Sequence, residues 1–413
     1  MLRRLLHLLP VLCAAAAIGE TSYRDIDAPP HRYHERVPQD RFTRLKADLE
    51  FGKIALDRSN ETAFVQSLLA ALDVPVSSQM LVFSNTSLQL SLISPRNPRA
   101  LYFSDDLYVG WVPGGRIEIV GIDPELGGVY YIFDVPRGAQ PLRIEQSSKC
   151  MNCHAGDDTG RVPGLVVKSV MPGPTGGSLD AYRIEQSGHG IPLADRFGGW
   201  VVTGARDFAG HKGNAIGLFV AGSLTKVPLA PGTTFDFARY LVPTSDLLPQ
   251  LLHEHQVGFV NRVVESSYRA RTALFADGGK LTPAHAAELD EQARIVARYM
   301  LFADEARLPA GGVEGDAAFK ADFLRNRRAA ANGAALKDFD LRTRLFKNRC
   351  SYMIYTPTFQ GLPPEMKQRI YRRLAEALNV EKPDREFAFL AASEKQSIRA
   401  ILRGTLPDLP SGW

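Results

Sequence analysis

The feature that most constrains the fold is a change in hydrophobic period along the chain. Between residues 81 and 135, short runs rich in β-branched and aromatic residues are separated by Asn, Asp, Pro and Gly. This pattern is typical of strands joined by turns. After Ser245, apolar residues recur every three or four positions, as in helices with one buried side. We therefore predict an α+β protein with a mostly antiparallel sheet in its N-terminal region and helices in its C-terminal region.

The predicted strands are short and closely spaced. Pro113-Gly114-Gly115 is a turn signal between two of them, and it predicts a hairpin. The strand candidates are residues 81–83, 88–93, 100–103, 107–112, 117–120 and 129–135, with a further short one at 200–203.

Helices are predicted on both sides of the sheet region. Ser393 with Gln396 three residues later has the spacing of a capping box, and Gly404 is predicted to end that last helix. The other candidates are residues 40–56, 62–72, 246–268, 283–302 and 365–378.

These patterns divide the chain into four segments. The predicted segments are a signal peptide at 1–19, a mixed sheet-rich region at 20–145, a glycine- and proline-rich segment with long loops at 146–240 and a helical region at 241–413.

The N-terminus has the features of an export signal. Arg3 and Arg4 precede an apolar run over residues 8–18, and small residues that suit cleavage follow. The run is short for a bilayer span, and no later segment has the roughly 18 uninterrupted apolar residues that a span requires. We expect a periplasmic or otherwise exported protein without a membrane span in its mature chain, although a retained anchor is an alternative interpretation.

The overall charge does not indicate a nucleic-acid partner. Lys and Arg number 49 and Asp and Glu 45, which leaves a formal net charge of +4 on 413 residues. A nucleic-acid-binding surface is usually reflected in a much larger basic excess.

The sequence Cys150-Met151-Asn152-Cys153-His154 is the attachment pattern of c-type haem. Each thiol forms a thioether with one vinyl group of the porphyrin, and two intervening residues let the sulfurs reach both vinyls. The following imidazole can then serve as an axial ligand of the iron. We therefore predict one covalently attached haem c, with His154 as its proximal ligand. Haem c is attached outside the cytoplasm, which agrees with the predicted export.

Three other interpretations of the motif are open. A zinc site would need a second ligand pair, and no second Cys-x-x-Cys or His-x-x-x-His is present. A redox-active dithiol would need a strand-to-helix context, whereas the flanking residues predict loops. A structural disulfide would leave His154 unexplained. The remaining Cys350 is predicted to be a buried, small apolar residue.

The chain resembles an uncharacterised group of large, exported bacterial cytochrome c-like proteins with a single Cys-x-x-Cys-His motif. The resemblance covers most of the mature chain and implies a haem protein, without a known substrate. The stretches that carry it are residues 77–84, 102–106, 108–111, 150–154, 198–204, 211–214 and 350–355.

The second axial ligand decides the class of function, because methionine, histidine or an open side tune the iron differently. His211 is our first candidate, since Gly210 and Gly213 would let its loop approach a flat cofactor. His255 and Met171 are the next candidates, and His255 has a competing interpretation as a hydrogen-bonded core residue. His189, which lies between two glycines, is a further candidate.

Other residues are candidates for contacts with the porphyrin. Guanidinium groups match carboxylates, so Arg161, Arg196 and Arg206 are predicted partners of the haem propionates. Trp200 is predicted to pack against the haem or the core. Gly164, together with the preceding proline, is predicted to supply a carbonyl to the proximal imidazole.

Three hypotheses for function follow. The first is electron transfer to a redox partner protein of unknown identity. The second is a haem enzyme of the peroxidase or oxygenase type with an open distal site. The third is a sensory or scaffold protein in which haem is structural. The chain is much larger than a minimal carrier of about 100 residues, and no distal acid–base set is recognisable in it.

Overall fold

The computed structural model describes residues 22–138, 140–183, 187–204 and 210–413. The predicted signal peptide and Arg206 lie outside these residues. Within them the predicted α+β architecture is confirmed, with an antiparallel sheet in the N-terminal half and most helices in the C-terminal half. In this part of the chain, no helix has both the length and the apolar character needed to cross a membrane.

Eleven strands occur among the described residues. They are β1 (Met80–Val82), β2 (Arg99–Phe103), β3 (Leu107–Trp111), β4 (Arg116–Asp123), β5 (Gly127–Asp134), β6 (Glu145–Gln146), β7 (Val170–Pro172), β8 (Ser178–Ala181), β9 (Trp200–Val201), β10 (Ala215–Val220) and β11 (Ser223–Pro228).

The main sheet has seven antiparallel strands in the order β6-β5-β4-β3-β2-β1-β9. The turn Pro113-Gly114-Gly115 joins β3 and β4, as predicted, and Gly114 has a positive φ of 78°. The edge strand β9 comes from the glycine- and proline-rich segment, which therefore completes the sheet. Two separate hairpins, β7–β8 and β10–β11, account for the other strands.

Nine α-helices are present in the same residues. They are α1 (Arg41–Glu50), α2 (Glu61–Ala71), α3 (Met151–His154), α4 (Leu247–Ala276), α5 (Pro283–Met300), α6 (Ala317–Leu324), α7 (Pro357–Gln360), α8 (Pro364–Ala377) and α9 (Ala392–Thr405).

The two faces of the sheet support two hydrophobic cores. One face carries Val109 and Tyr131 and packs against Phe42 of α1 and Phe64 of α2. The other face carries Tyr108 and packs against α4 and the helices behind it. The sheet is therefore covered on both sides. The Cys150 to His154 segment lies against the second face, where the ring of His154 is 4.7 Å from that of Tyr130.

Two predicted features of the fold are wrong. Residues 88–93 form turns instead of a strand. The alternating leucines of this segment, Leu88, Leu90 and Leu92, project into solvent with 51%, 56% and 40% exposure, so the pattern does not mark a buried face. In the last helix, the N-cap is Ala391 without a side-chain cap, and Gly404 lies inside the final turn.

Ser245 joins the sheet edge to the start of α4. Its hydroxyl accepts from the amide of Leu81 in β1 at 2.9 Å and donates to the carbonyl of Val201 in β9 at 2.7 Å. Gln250 donates to the same carbonyl at 2.9 Å. Because Ser245 is fully buried, water cannot replace these bonds.

We predict that Ser245→Ala lowers the free energy of unfolding by about 1–3 kcal/mol, because it leaves the buried amide of Leu81 without an acceptor. Urea unfolding followed by circular dichroism measures the change. Ser223→Ala, at an exposed position of β11, is the control and should change the free energy by less than about 0.5 kcal/mol. Equal stability of the two variants would contradict this assignment.

Candidate functional site

The Cys-x-x-Cys-His segment lies in a helical turn, whereas its flanking residues predict a loop. A 3-10 turn at Ser148–Cys150 leads directly into α3. Residues three and four apart are neighbours on a helix surface, so Cys150, Cys153 and His154 emerge on one side. The Cys150 thiol is half-buried, and burial raises its pKa, whereas Cys153 is exposed. Neither thiol is in a disulfide.

The imidazole of His154 is oriented by the carbonyl of Gly164, at 2.8 Å from its Nδ1 atom. This is the contact that the sequence predicts for the Gly164 carbonyl. Since a carbonyl oxygen only accepts, Nδ1 carries the proton and Nε2 keeps its lone pair. Burial lowers the pKa of His154, which favours the neutral ring. The imidazole is therefore held in the form that binds a metal.

The carbonyl of Gly164 is itself fixed from two sides. Tyr130 of β5 donates its hydroxyl to that carbonyl at 2.7 Å, and its ring lies 4.7 Å from the ring of His154. Asn261 of α4 accepts from the amide of Leu165 at 2.8 Å and donates to the carbonyl of the same residue at 2.9 Å. Glycine is required at 164, because a Cβ atom there would come within 2.5 Å of the Asn261 side chain.

The sheet face beside His154 presents one continuous row of side chains. Phe103, Tyr108, Val120 and Tyr130 are register partners across β2, β3, β4 and β5, so they point to the same side. His154 lies against the Tyr130 end of this row. Val120, in the middle of it, is only partly buried.

The next two rows of the same face carry a charged pair. Arg99 of β2 donates to Glu118 of β4 at 2.8 Å. The remaining Nε of Arg99 is buried and has no hydrogen-bond partner among the described residues. Leu101, which flanks this pair, is partly exposed although it belongs to a central strand. This face therefore offers partly exposed apolar side chains and one buried cationic donor.

His253 of α4 lies over the opposite end of the first row. Its ring centroid is 5.5 Å from that of Phe103, 5.6 Å from that of Tyr108 and 6.4 Å from that of Trp200. It is 7% exposed. His253 is not among the residues predicted from the sequence. The available signal was a stripe of polar residues at intervals of three, formed by Gln250, His253 and Gln256.

Two of the predicted candidates for the sixth ligand, His211 and Met171, have the following surroundings. The ring of His211 packs edge-on against Phe197, with 6.1 Å between centroids, and none of the contacts among the described residues joins it to His154. Burial and the charge of Lys226 lower its pKa to about 4. Met171 lies in β7, and its sulfur packs closely against Gly217 of β10. A Cβ atom added at Gly217 would be only 2.7 Å from that sulfur.

His255 and His189 form a buried pair of their own. Their Nδ1 atoms are 2.7 Å apart, and Nε2 of His255 lies 2.8 Å from the hydroxyl of Ser351. The ring of His189 stacks on Tyr299 at 4.1 Å. Both nitrogens of His255 are occupied, so it is a hydrogen-bonded core residue, which is the competing interpretation that the sequence leaves open.

Two of the predicted cofactor contacts, Arg161 and Arg196, have different surroundings. Arg161 is exposed and pairs with Asp157 at 2.7 Å. Arg196 is buried, and its guanidinium donates to the carbonyls of Ile191 and His189 and lies 3.3 Å from Glu254. These groups already engage the Arg196 guanidinium, and its contact with a propionate stays a prediction.

Trp200 and Cys350 agree with their predictions. Trp200 belongs to the core, and its indole N–H donates to the carbonyl of Lys168 at 2.9 Å. Cys350 is fully buried, and burial raises its pKa to about 12.

A cavity of about 440 Å³ is lined in part by Phe103, whose ring centroid is 5.5 Å from that of His253. Its wall combines four carboxylates with three cationic side chains, and Lys337 pairs with Asp105 there at 3.0 Å. The lining residues are Arg41, Asp73, Pro75, Phe103, Ser104, Asp105, Asp106, Gln256, Phe319, Asp322, Phe323, Arg325, Asn326 and Lys337.

No protein-family model, no curated protein and no solved structure matches this chain.

A buried ion cluster anchors α4 to the segment that follows the motif. Glu254 lies 2.7 Å from Arg183 and 3.3 Å from Arg196, and all three side chains are at most 3% exposed. Burial alone would raise the pKa of Glu254, but the two guanidinium groups outweigh it and hold the pKa below its ordinary value.

We predict that Glu254→Gln lowers the free energy of unfolding at pH 7 by about 3–5 kcal/mol, because two buried guanidinium groups lose their counter-charge. The difference between wild type and variant should shrink as the pH falls below 4.5, the ordinary glutamate pKa, and vanish once the pH passes the lower folded-state value. Urea unfolding at a series of pH values measures both.

The matched control for this prediction is Glu291→Gln. Its carboxylate pairs with Arg294 at 2.8 Å but is 52% exposed, so the loss should stay below about 1 kcal/mol. A Glu254→Gln variant as stable at pH 7 as this control would show that the cluster does not stabilise the fold.

Proposed function

We propose that the protein binds one haem c through thioethers from Cys150 and Cys153, with His154 as the proximal ligand, and that it transfers electrons to a redox partner protein. The observation that carries the proposal is the contact between Nδ1 of His154 and the Gly164 carbonyl at 2.8 Å. In a metal-binding histidine, the ring nitrogen that does not bind the metal usually donates to an acceptor such as a carbonyl. This hydrogen bond fixes the tautomer and leaves Nε2 free for the metal.

The surrounding residues fit a porphyrin. The sheet face beside His154 has partly exposed apolar side chains at Leu101 and Val120, on which a flat apolar ring can pack. The buried, unpartnered Nε of Arg99 suits a propionate. Arg99 therefore replaces Arg196 as the proposed propionate partner.

The donor set also suits haem better than zinc. A structural zinc site takes four protein ligands, and within the described ranges no three His, Cys, Asp or Glu side chains are grouped to hold an ion. A porphyrin brings four nitrogen ligands itself, so one or two imidazoles from the protein suffice.

Electron transfer is favoured by the position of the thiols. Cys153 and Asn152 are exposed, and Cys150 is half-buried. Because both sulfurs would join the edge of the ring system, that edge would lie near the surface, within reach of a partner. Bound haem supplies one-electron chemistry at its iron. The chain's own residues orient the proximal ligand and cover the ring, and the predicted export would place this exchange in the periplasm.

The second candidate is a haem enzyme. The observation that favours it is the 440 Å³ cavity, whose wall shares Phe103 with the surroundings of His253. A small substrate could reach the distal region from there. Carbon monoxide distinguishes the two candidates, because it binds ferrous haem with an open side and not a haem with two protein ligands.

We predict that the full chain, matured with haem in a bacterial periplasm, keeps its haem during denaturing electrophoresis, because thioethers survive unfolding. The double variant Cys150→Ala with Cys153→Ala should lose all haem staining. Cys350→Ala is the matched control, since this buried thiol lies outside the motif, and it should keep the stain. A matured wild-type protein without covalent haem would refute the proposal.

A further inference from the structure

We propose that His253 is the second axial ligand of the iron, on the opposite side of the porphyrin from His154. This inference rests on the proposed haem attachment at Cys150 and Cys153. It replaces His211 as the expected sixth ligand.

The first support is an imidazole without a polar partner. His253 is 7% exposed, and no hydrogen bond joins either of its ring nitrogens to another described residue. Buried polar side chains nearly always have one. His255, two residues along, has both nitrogens engaged. The ring of His253 is instead surrounded by Phe103, Tyr108 and Trp200, so a metal would supply the missing partner.

The second support is the register of the sheet. Tyr108, which contacts His253, pairs with Val120, and Val120 pairs with Tyr130, which contacts His154. Tyr108 and Tyr130 therefore stand on the same row, two strand spacings or about 10 Å apart, and one imidazole lies against each of them. The partly exposed Val120 lies between them. A flat ring system standing on Val120 would present one face to each histidine.

The third support is the path of α4 across the strands. Gln250 bonds to β9, and Gln256 accepts from Tyr108 of β3 at 2.9 Å. Further along, Asn261 holds the segment whose carbonyl orients His154. Eight residues separate His253 from Asn261, which is about 12 Å along a helix axis. This separation agrees with the spacing of the two tyrosines in the sheet.

The test uses the full chain matured with haem and compares ferric and ferrous absorption spectra. Wild type should be low-spin and should not bind carbon monoxide. His253→Ala should become high-spin and bind carbon monoxide in the ferrous state, and added imidazole should restore the low-spin spectrum. His211→Ala is the control, and it should keep the wild-type spectrum.

A conservative variant guards against a folding defect. His253→Met should keep a six-coordinate iron and raise the midpoint potential, because a thioether ligand favours the ferrous state more than an imidazole does. If His253 had only a structural role, His253→Met would not raise the midpoint potential. Added imidazole would also not restore the low-spin spectrum of His253→Ala.

The outcomes separate the two proposals. Covalent haem in all variants with an unchanged low-spin spectrum in His253→Ala would overturn the role of His253 and leave the haem proposal intact. A wild type that is already high-spin and binds carbon monoxide would also overturn it. A wild type without covalent haem would overturn the proposed function itself.

Discussion

The structure depends on the burial of helix α4 across the second face of the sheet. From Leu247 to Asn261 every residue of this helix is buried, so each polar side chain requires a partner inside the protein. Gln250 reaches the sheet edge, and Asn261 binds both backbone groups of Leu165. These bonds set the position of the helix on the strands. His253 is the polar residue of this stretch whose ring lacks such a partner in the described chain.

The strands were predictable because their hydrophobic pattern and their turn signals agree. The hairpin at Pro113-Gly114-Gly115 lies where the sequence places it, since glycine permits the positive φ of 78° at Gly114. The strand predicted over 88–93 is wrong, because leucines can also alternate where they project into solvent. A local sequence pattern shows which residues alternate, but it does not show which side of a segment is buried. Burial depends on helices and strands that are distant in sequence.

The same distinction separates the parts of the candidate site. Cys150, Cys153, His154 and the carbonyl of Gly164 are close in sequence, so their relation follows from local spacing. Arg99 comes from β2, and its relation to the motif depends on the register of four strands and on a helix 150 residues later. Helical periodicity in α4 could not distinguish His253 from His255, because the helix is buried all round in this part.

The position of α4 therefore governs both sides of the proposed iron site. Asn261 holds the backbone that orients His154, while His253 projects from the same helix about two turns earlier. A shift of α4 along its axis would move His253 relative to the strands, whereas Tyr130 of β5 also holds the Gly164 carbonyl that orients His154. The buried contact of Glu254 with Arg183 and Arg196 opposes such a shift, because it would separate charges that water cannot reach. The large helical region thus has a physical role that a minimal carrier lacks, since it holds the helix that would supply the second ligand.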